Sequence, residues 1–218
     1  MGKNKNLTPE QKSILIEAKT NPYINSRFYF TGGTALSTFY LHHRYSDDID
    51  FFTTLVLESD VISKLVNTWA QKIGASVESR FVEVVYIFYL TFKNGSKLKI
   101  DFSYYPYKLI EKGEMLDQLH VDSLRDIATN KLLTIQQRTD VKDFVDLFFL
   151  FKTFTVWDLI YGVQSKFGVK LDILLLSSDF LKVEDFTYLP KMITPLSLTQ
   201  LKLFFRTLAK DLGKKALE

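Results

Sequence analysis

The chain has 218 residues, with 28 Lys and Arg against 25 Asp and Glu, and it contains no cysteine. Its apolar share of 46% and charged share of 24% are ordinary for a globular protein and exclude an intrinsically disordered or coiled-coil chain. The lack of cysteine excludes disulfides, thiolate metal sites and a cysteine nucleophile, and we expect a cytoplasmic protein. The most apolar run, residues 84–90, is far shorter than the roughly 20 residues of a membrane helix, so we expect no membrane partner.

The first half of the chain predicts alternating helices and strands. Thr8 and Pro9 are typical of a helix start and predict a helix over residues 9–18. A β-prone run at residues 28–30 leads into a glycine turn, and apolar residues at helical spacing follow it. The remaining predictions in this half are strands over residues 48–53, 81–93 and 97–103, and a helix over 59–73.

The second half of the chain has a helical period from residue 122 onward. The predicted helices cover residues 124–137, 141–153, 156–167 and 197–212. The sequence therefore predicts an α+β fold with two domains. A small mixed β-sheet flanked by helices is expected over residues 1–120, and a C-terminal helical bundle over residues 121–218.

Three carboxylates fall on predicted strands. Because side chains alternate along a strand, Asp48 and Asp50 share one face, and Asp101 lies on the polar face of a later strand. If the two strands are neighbours, the three acids suit Mg²⁺, which binds carboxylates together with water and substrate phosphates. An isolated Asp-x-Asp is more often a strand end capped by solvated acids.

Other metal sites fit the sequence less well. Zinc is disfavoured because no ligand spacing connects the three histidines, His42, His43 and His120. A calcium loop that starts around Asp47 lacks a glycine at its sixth position, and the residues around Asp50 favour a strand.

Gly32, Gly33 and Thr34 lie between a predicted strand and a predicted helix. Backbone amides at such a turn, together with a helix N-terminus, attract phosphate. A plain tight turn is the alternative interpretation.

Cations also fall on an apolar helix face. Lys131 lies on the apolar side of the helix predicted over 124–137, and Arg138, one residue beyond it, continues the same side. Such cations either extend past the core to water, or this face closes over the cleft and Lys131 contacts a triphosphate. Asp143 and Asp146 share a face of the next helix and are alternatively ion-pair partners of these two cations.

Four segments together resemble the motifs of the nucleotidyltransferase AbiEii/AbiGii toxin family, in family order over residues 31–147. They are TGGTAL at 31–36 with YLHHRYSDDIDFF at 40–52, KLKIDF at 97–102, Asp122 with Lys131, and Arg138 with KDFVDL at 142–147. The resemblance implies a nucleotidyltransferase fold whose helical domain closes the active cleft. It also implies a toxin that transfers a nucleoside monophosphate from an NTP to an acceptor hydroxyl and releases pyrophosphate.

The resemblance further implies the residues and partners of the site. Its catalytic residues are expected to be Asp48, Asp50, Asp101 and Lys131, of which the three aspartates bind Mg²⁺. Its nucleotide-binding residues are expected to be Gly32, Gly33, Thr34, Lys131, Arg138, Asp143 and Asp146. The implied partners are an NTP, an RNA acceptor such as tRNA, and a cognate antitoxin. A nucleotidyltransferase acting on a small molecule or a protein hydroxyl, and a non-catalytic module that binds RNA or an antitoxin, stay open as alternatives.

Overall fold

The computed structural model describes residues 6–217, which form two compact units that interleave along the chain. The first unit contains the described residues up to Tyr40, Ser46–Lys108 and Lys112–Ser123. The second contains Leu41–Tyr45, Leu109–Glu111 and the described residues from Leu124 onward. The predicted domains 1–120 and 121–218 were continuous ranges, and their residues 1–5 and 218 lie outside the described part of the chain. That the second domain closes a cleft stays a prediction.

The first unit is built on a mixed sheet. Its strands within residues 6–217 are β1 Tyr29–Thr31, β2 Ile49–Thr53, β3 Ala75–Val82, β4 Val85–Phe92, β5 Lys97–Tyr104, β6 Met115–Leu116 and β7 Leu119–Val121. Their spatial order is β3-β4-β5-β2-β1-β7-β6, and the β2–β5 and β1–β7 pairs are parallel. In β2, Ile49 and Phe51 are fully buried whereas Asp50 between them is half-buried, as the alternation of side chains along a strand requires.

Helices flank this sheet and form the second unit. Those of the first unit are α1 Pro9–Lys19, α2 Pro22–Arg27, α3 Gly32–Ala35, which continues into a π-helical segment Leu36–Leu41, and α4 Ser59–Ile73. Those of the second unit are α5 Leu124–Gln137, α6 Val141–Leu150, α7 Val156–Phe167, α8 Ile173–Leu181 and α9 Leu198–Leu217. Aromatic rings fill the core of the second unit, where the ring centres of Phe144 and Phe205 lie 5.0 Å apart. None of the helices in the described chain is long and apolar enough to cross a membrane.

Two short chain segments bring hydrogen-bond donors to buried carboxylates of the second unit. The segment Leu41–Tyr45 brings Arg44 to Asp146 of α6, with Nε 2.6 Å from Oδ1. The segment Leu109–Glu111 brings backbone amides to Asp126 of α5, where the Ile110 N–H donates to Oδ1 over 2.9 Å. Both carboxylates are fully buried, so these bonds replace the water that the acids lose on folding.

The predicted α+β class is confirmed, and the differences are local. The strand predicted over residues 81–93 is a hairpin of β3 and β4, whose turn at Glu83 has a φ of 53°. Its turn lacks the Asn-Gly or Asp-Gly pair that marks such a turn in a sequence. The predicted glycine turn instead opens the short helix α3, and the helix predicted over 141–153 ends at Leu150. Helices α2 and α8 and strands β6 and β7 were not predicted.

Candidate active site

The sheet places two of the predicted carboxylates side by side. Strand β2 lies parallel to β5, and Asp50 is the register partner of Asp101. Asp48 lies two residues before Asp50, just ahead of β2, and is also half-buried. Register partners on adjacent strands project from the same face of the sheet, so Asp50 and Asp101 share one surface.

Asp101 is the most buried of the three acids, and Lys99 holds it. The Lys99 Nζ lies 2.5 Å from Asp101 Oδ2, because residues two apart on a strand share a face. The other carboxylate oxygen, Oδ1, is buried and has no hydrogen-bond partner. Burial raises the pKa of Asp101, and the negative charge of Asp48 adds to this although Lys99 opposes it. Burial alone would lower the pKa of Lys99. The pKa is nevertheless raised, because Asp101 accepts a hydrogen bond from Lys99 and because Asp101, Asp48 and Asp50 are negatively charged.

Gly32 brings the backbone of α3 against one of these carboxylates. Its φ of +76° is in the left-handed region, and a Cβ added there would lie 2.1 Å from Asp50 Oδ2. Only glycine allows this close approach. Two residues later, the buried Thr34 hydroxyl donates a hydrogen bond to the backbone carbonyl of Asp48. Thr34 thereby fixes the chain that carries the acids, and its predicted contact with phosphate, like those of Gly32 and Gly33, stays a prediction.

The carboxylates fit a hard divalent cation by their donor chemistry. Asp48, Asp50 and Asp101 supply only oxygen ligands, and the buried Asp101 Oδ1 has no competing donor. Within the described residues, no three His, Cys, Asp or Glu side chains form a complete metal site. A Mg²⁺ held here would therefore complete its shell with water and substrate phosphate, as this ion usually does.

The second unit contains a buried cluster of charges around α5 and α6. Lys131 Nζ lies 2.6 Å from Asp143 Oδ1 and 2.7 Å from Asp146 Oδ2, and the Arg138 Nε lies 2.8 Å from Asp143 Oδ2. Asp146 also accepts bonds from Arg44 and from His43 Nε2, the latter over 2.7 Å. Lys131 is only 9% exposed. The sequence left two interpretations open for these residues, and in the structure Asp143 and Asp146 are ion-pair partners of the two cations.

The cluster keeps its acids ionised. Burial alone would raise the pKa of Asp146, but Lys131 and Arg44 hold it well below its usual value. The pKa of Asp143 is lowered for the same reason, with Lys131 and Arg138 outweighing burial. Burial would likewise lower the pKa of Lys131, but Asp146 and Asp143 raise it. Each of these four charged groups has a protein partner in the structure. The predicted roles of Lys131, Arg138, Asp143 and Asp146 in nucleotide binding stay predictions.

His43 and Arg44 are members of this cluster that sequence reasoning did not assign to it. In the sequence they stand within a segment that resembles a family motif, and their partner Asp146 lies over 100 residues further along the chain. The two residues of the third motif belong to different units. Asp122 belongs to the first unit, where Thr31 Oγ1 of β1 donates to its Oδ2 over 2.6 Å, whereas Lys131 belongs to the second.

We expect His43 to make the protein less stable at mildly acidic pH. Its Nε2–H donates to Asp146, and its Nδ1 is buried without a hydrogen-bond partner, so a second ring proton would have no acceptor. Burial lowers the His43 pKa below 6.5, with Arg44 and Lys131 adding to the shift and Asp146 opposing it. The unfolded chain then binds the proton first, and the free energy of unfolding falls as the pH drops below about 6.5.

Urea denaturation between pH 5 and 7.5 measures this dependence. His43→Gln keeps a donor for Asp146 without a titrating ring, and we expect a flatter pH profile than that of the natural protein. His120→Gln changes an exposed histidine and is the matched control. An equal flattening in both variants would contradict the assignment to His43.

Comparison with known proteins identifies the family. The profile of the family described as nucleotidyl transferase AbiEii toxin, type IV toxin–antitoxin system, matches residues 16–189. An uncharacterized protein of Aquifex aeolicus (strain VF5), aq_aa25, is 35% identical over 155 residues, which cover 70% of each chain.

Two solved structures share the fold over nearly their whole length. JHP933 from Helicobacter pylori has a TM-score of 0.59 at 20% identity, covering 97% of this chain and 95% of that one. A structure of a candidate nucleotidyltransferase from H. pylori has a TM-score of 0.58 at 20% identity, covering 97% and 99%. The family profile spans most of the chain, including the glycine turn, the three aspartates and the charge cluster. The chain therefore belongs to the nucleotidyl transferase AbiEii toxin family of type IV toxin–antitoxin systems.

Proposed function

We propose that this protein transfers a nucleoside monophosphate from an NTP to an acceptor hydroxyl on RNA, such as tRNA, in a Mg²⁺-dependent reaction that releases pyrophosphate. The observation that carries the proposal is the placement of Asp50, which lies beside Asp101 in the sheet and against the backbone of Gly32. A phosphate bound at the glycine turn would meet the Asp50 carboxylate, and a divalent cation held by the aspartates would remove this repulsion. Membership of a toxin–antitoxin family supports a cognate antitoxin as partner, and we propose a cytoplasmic site of action.

The predicted site residues of the first unit divide the proposed reaction between them. The amides of Gly32 and Gly33 would bind phosphate oxygens, while Asp48 and Asp50, completed by Asp101, would hold Mg²⁺. When bound, Mg²⁺ would neutralise phosphate charge and stabilise the leaving pyrophosphate. The acceptor oxygen attacks the α-phosphorus, its proton passes to Asp101, and the bond from the α-phosphorus to the bridging oxygen breaks.

A labelling experiment tests this function. The purified protein is incubated with each α-³²P-labelled NTP, Mg²⁺ and total tRNA, and we expect one label to become acid-insoluble and sensitive to ribonuclease. Asp101→Asn should keep NTP binding but slow the transfer strongly, because an amide accepts no proton and is a poor metal ligand. Label that resists ribonuclease but not protease would identify a protein acceptor. No incorporation with any NTP or acceptor would contradict transferase activity.

We expect Gly32→Ala to remove most of the transfer activity. The new Cβ would lie 2.1 Å from Asp50 Oδ2, so the carboxylate or the turn must move. Gly95→Ala is the matched control, because Gly95 also has a positive φ, +80°, but has no atom within 4 Å of the added Cβ. Both variants should be destabilised by about 1–3 kcal/mol, because alanine is strained at a positive φ. Only Gly32→Ala also displaces Asp50. Equal activity of the two variants in the labelling experiment would show that the close contact is unimportant.

A further inference from the structure

A cavity of about 550 Å³ lies at the start of α6 in the second unit. This volume is within the usual range of ligand pockets, about 300–1,000 Å³. Its lining includes Arg138 and Lys142 near the start of α6, and Phe186, Tyr188 and Pro190 from a later part of the chain. It contains none of the three aspartates of the proposed metal site, and Arg138 is the one expected nucleotide-binding residue in its lining.

The cavity has a positively charged wall. The Arg138 side chain is 59% exposed although its Nε bonds to Asp143, and this bond fixes the orientation of the guanidinium group. Lys142 lies four residues further on. Asp140 is the acid in the lining, and its Oδ1 accepts the Lys142 backbone N–H over 2.8 Å as the cap of α6. Asp143, which pairs with Arg138, is fully buried and outside the lining, so cations outnumber acids in the lining itself and favour an anionic ligand.

The cavity lining also includes an exposed aromatic ring on an anchored segment. Tyr188 is 67% exposed, whereas Phe186 two residues earlier is buried against Phe144, with ring centres 5.1 Å apart. Such a ring is a stacking surface for a planar ligand. Because its segment is already anchored, the segment would lose little conformational entropy when a ligand binds.

The segment that follows Tyr188 contributes to a second combination of a cation and an aromatic ring. Lys191 Nζ lies 4.6 Å from the centre of the Tyr45 ring, and the Tyr45 N–H donates to the Lys191 carbonyl over 2.9 Å. Both residues are exposed. The amides of Ile193 and Thr194 bond to the His43 carbonyl, so the segment is also held in place just after Lys191.

We propose that the cavity at the start of α6 and the adjoining Tyr188–Lys191 segment bind single-stranded RNA, with phosphates on the cations and a base stacked on Tyr188. Alternating cations and exposed rings are typical of single-strand binding, in which the charges follow the backbone and the rings stack on bases. The inference rests on the proposed function, because it says where on the protein the RNA acceptor binds. It assigns a role to Tyr188 and Lys191, which lie outside the family motifs, and a new role to Lys142, the first residue of the KDFVDL motif.

The test is fluorescence anisotropy with a labelled 12-nucleotide single-stranded RNA, alongside a titration with NTP. Tyr188→Ala should weaken RNA binding by about five- to a hundredfold, the usual effect of losing one stacked base, and Tyr188→Phe should restore it. Lys142→Ala should lower the slope of log affinity against log salt by about 0.7, the value for one phosphate contact on a single strand. NTP affinity should be unchanged in all of these variants.

Matched controls come from the same unit. Tyr161, which is 64% exposed, and the exposed Lys170 lie outside the cavity lining, so Tyr161→Ala and Lys170→Ala should bind RNA like the natural protein. Equal losses in Tyr161→Ala and Tyr188→Ala would overturn the proposal, and so would a loss of NTP binding in Tyr188→Ala. If the natural protein transfers label to RNA but Tyr188→Ala binds RNA normally, this inference fails while the proposed function stands. If the natural protein binds NTP but no RNA, the RNA acceptor itself is wrong.

Discussion

Asp50→Asn is expected to abolish nucleotidyl transfer while leaving the protein folded. The substitution keeps the shape of the side chain but removes the charge that lies beside Asp101 and against Gly32. A bound metal contributes several kcal/mol of transition-state stabilisation, and each 1.36 kcal/mol is tenfold in rate, so a loss of at least about a thousandfold is expected. Asp50 is half-buried among like charges, so removing its charge relieves repulsion and should leave the melting temperature flat or slightly raised.

The measurement combines the labelling experiment with a thermal melt. Asp47→Asn makes the same change of charge three positions earlier, at an exposed residue, and should retain transfer. Full activity in Asp50→Asn would remove this carboxylate from the proposed metal site. A melting temperature lowered by many degrees with activity retained would make Asp50 a structural residue.

Asp146→Asn is expected to have the largest effect on stability. Its carboxylate is fully buried and accepts bonds from His43, Arg44 and Lys131. Removing the anion takes the carboxylate from Arg44 and one of two carboxylates from Lys131, and breaking a buried ion pair from one side costs about 3–5 kcal/mol. For a chain of this size the melting temperature should fall by roughly 10 °C.

Thermal and urea denaturation measure this loss, with Asp211→Asn as the control. Asp211 is an exposed residue of α9, where a change of charge should cost less than about 0.5 kcal/mol. Similar stabilities for the two variants would contradict the structural role of the cluster. Lys131→Met should also be destabilising, because the apolar stem survives but Asp143 and Asp146 lose a shared cation.

The arrangement of the acids could be predicted from local patterns. Alternation along β2 puts Asp48 and Asp50 on one face, and the same rule puts Asp101 on the polar face of β5. The pairing of β2 with β5 could not be derived in this way, because a register between strands about 50 residues apart depends on the packing of the whole sheet. The resemblance to the family supplied the connection that local patterns lack.

The buried charges show a different limit of sequence reasoning. Helical periodicity places Lys131 on the apolar face of α5, but it does not say which acid neutralises it. His43 and Arg44 lie in an irregular segment with no period, so nothing local connects them to Asp146. The role of Thr34 was missed for a similar reason, because a hydroxyl near a glycine turn can serve a ligand or a neighbouring backbone carbonyl.

The interleaving of the two units limits how the protein can be divided. A gene fragment that starts at Leu124 would encode Asp126 and Asp146 without the donors that the segments Leu109–Glu111 and Leu41–Tyr45 provide. Two buried carboxylates would then lack bonds that they need, so the helical part is not a portable module. Chimeras between members of this family should therefore exchange both short segments together with the helices that they serve.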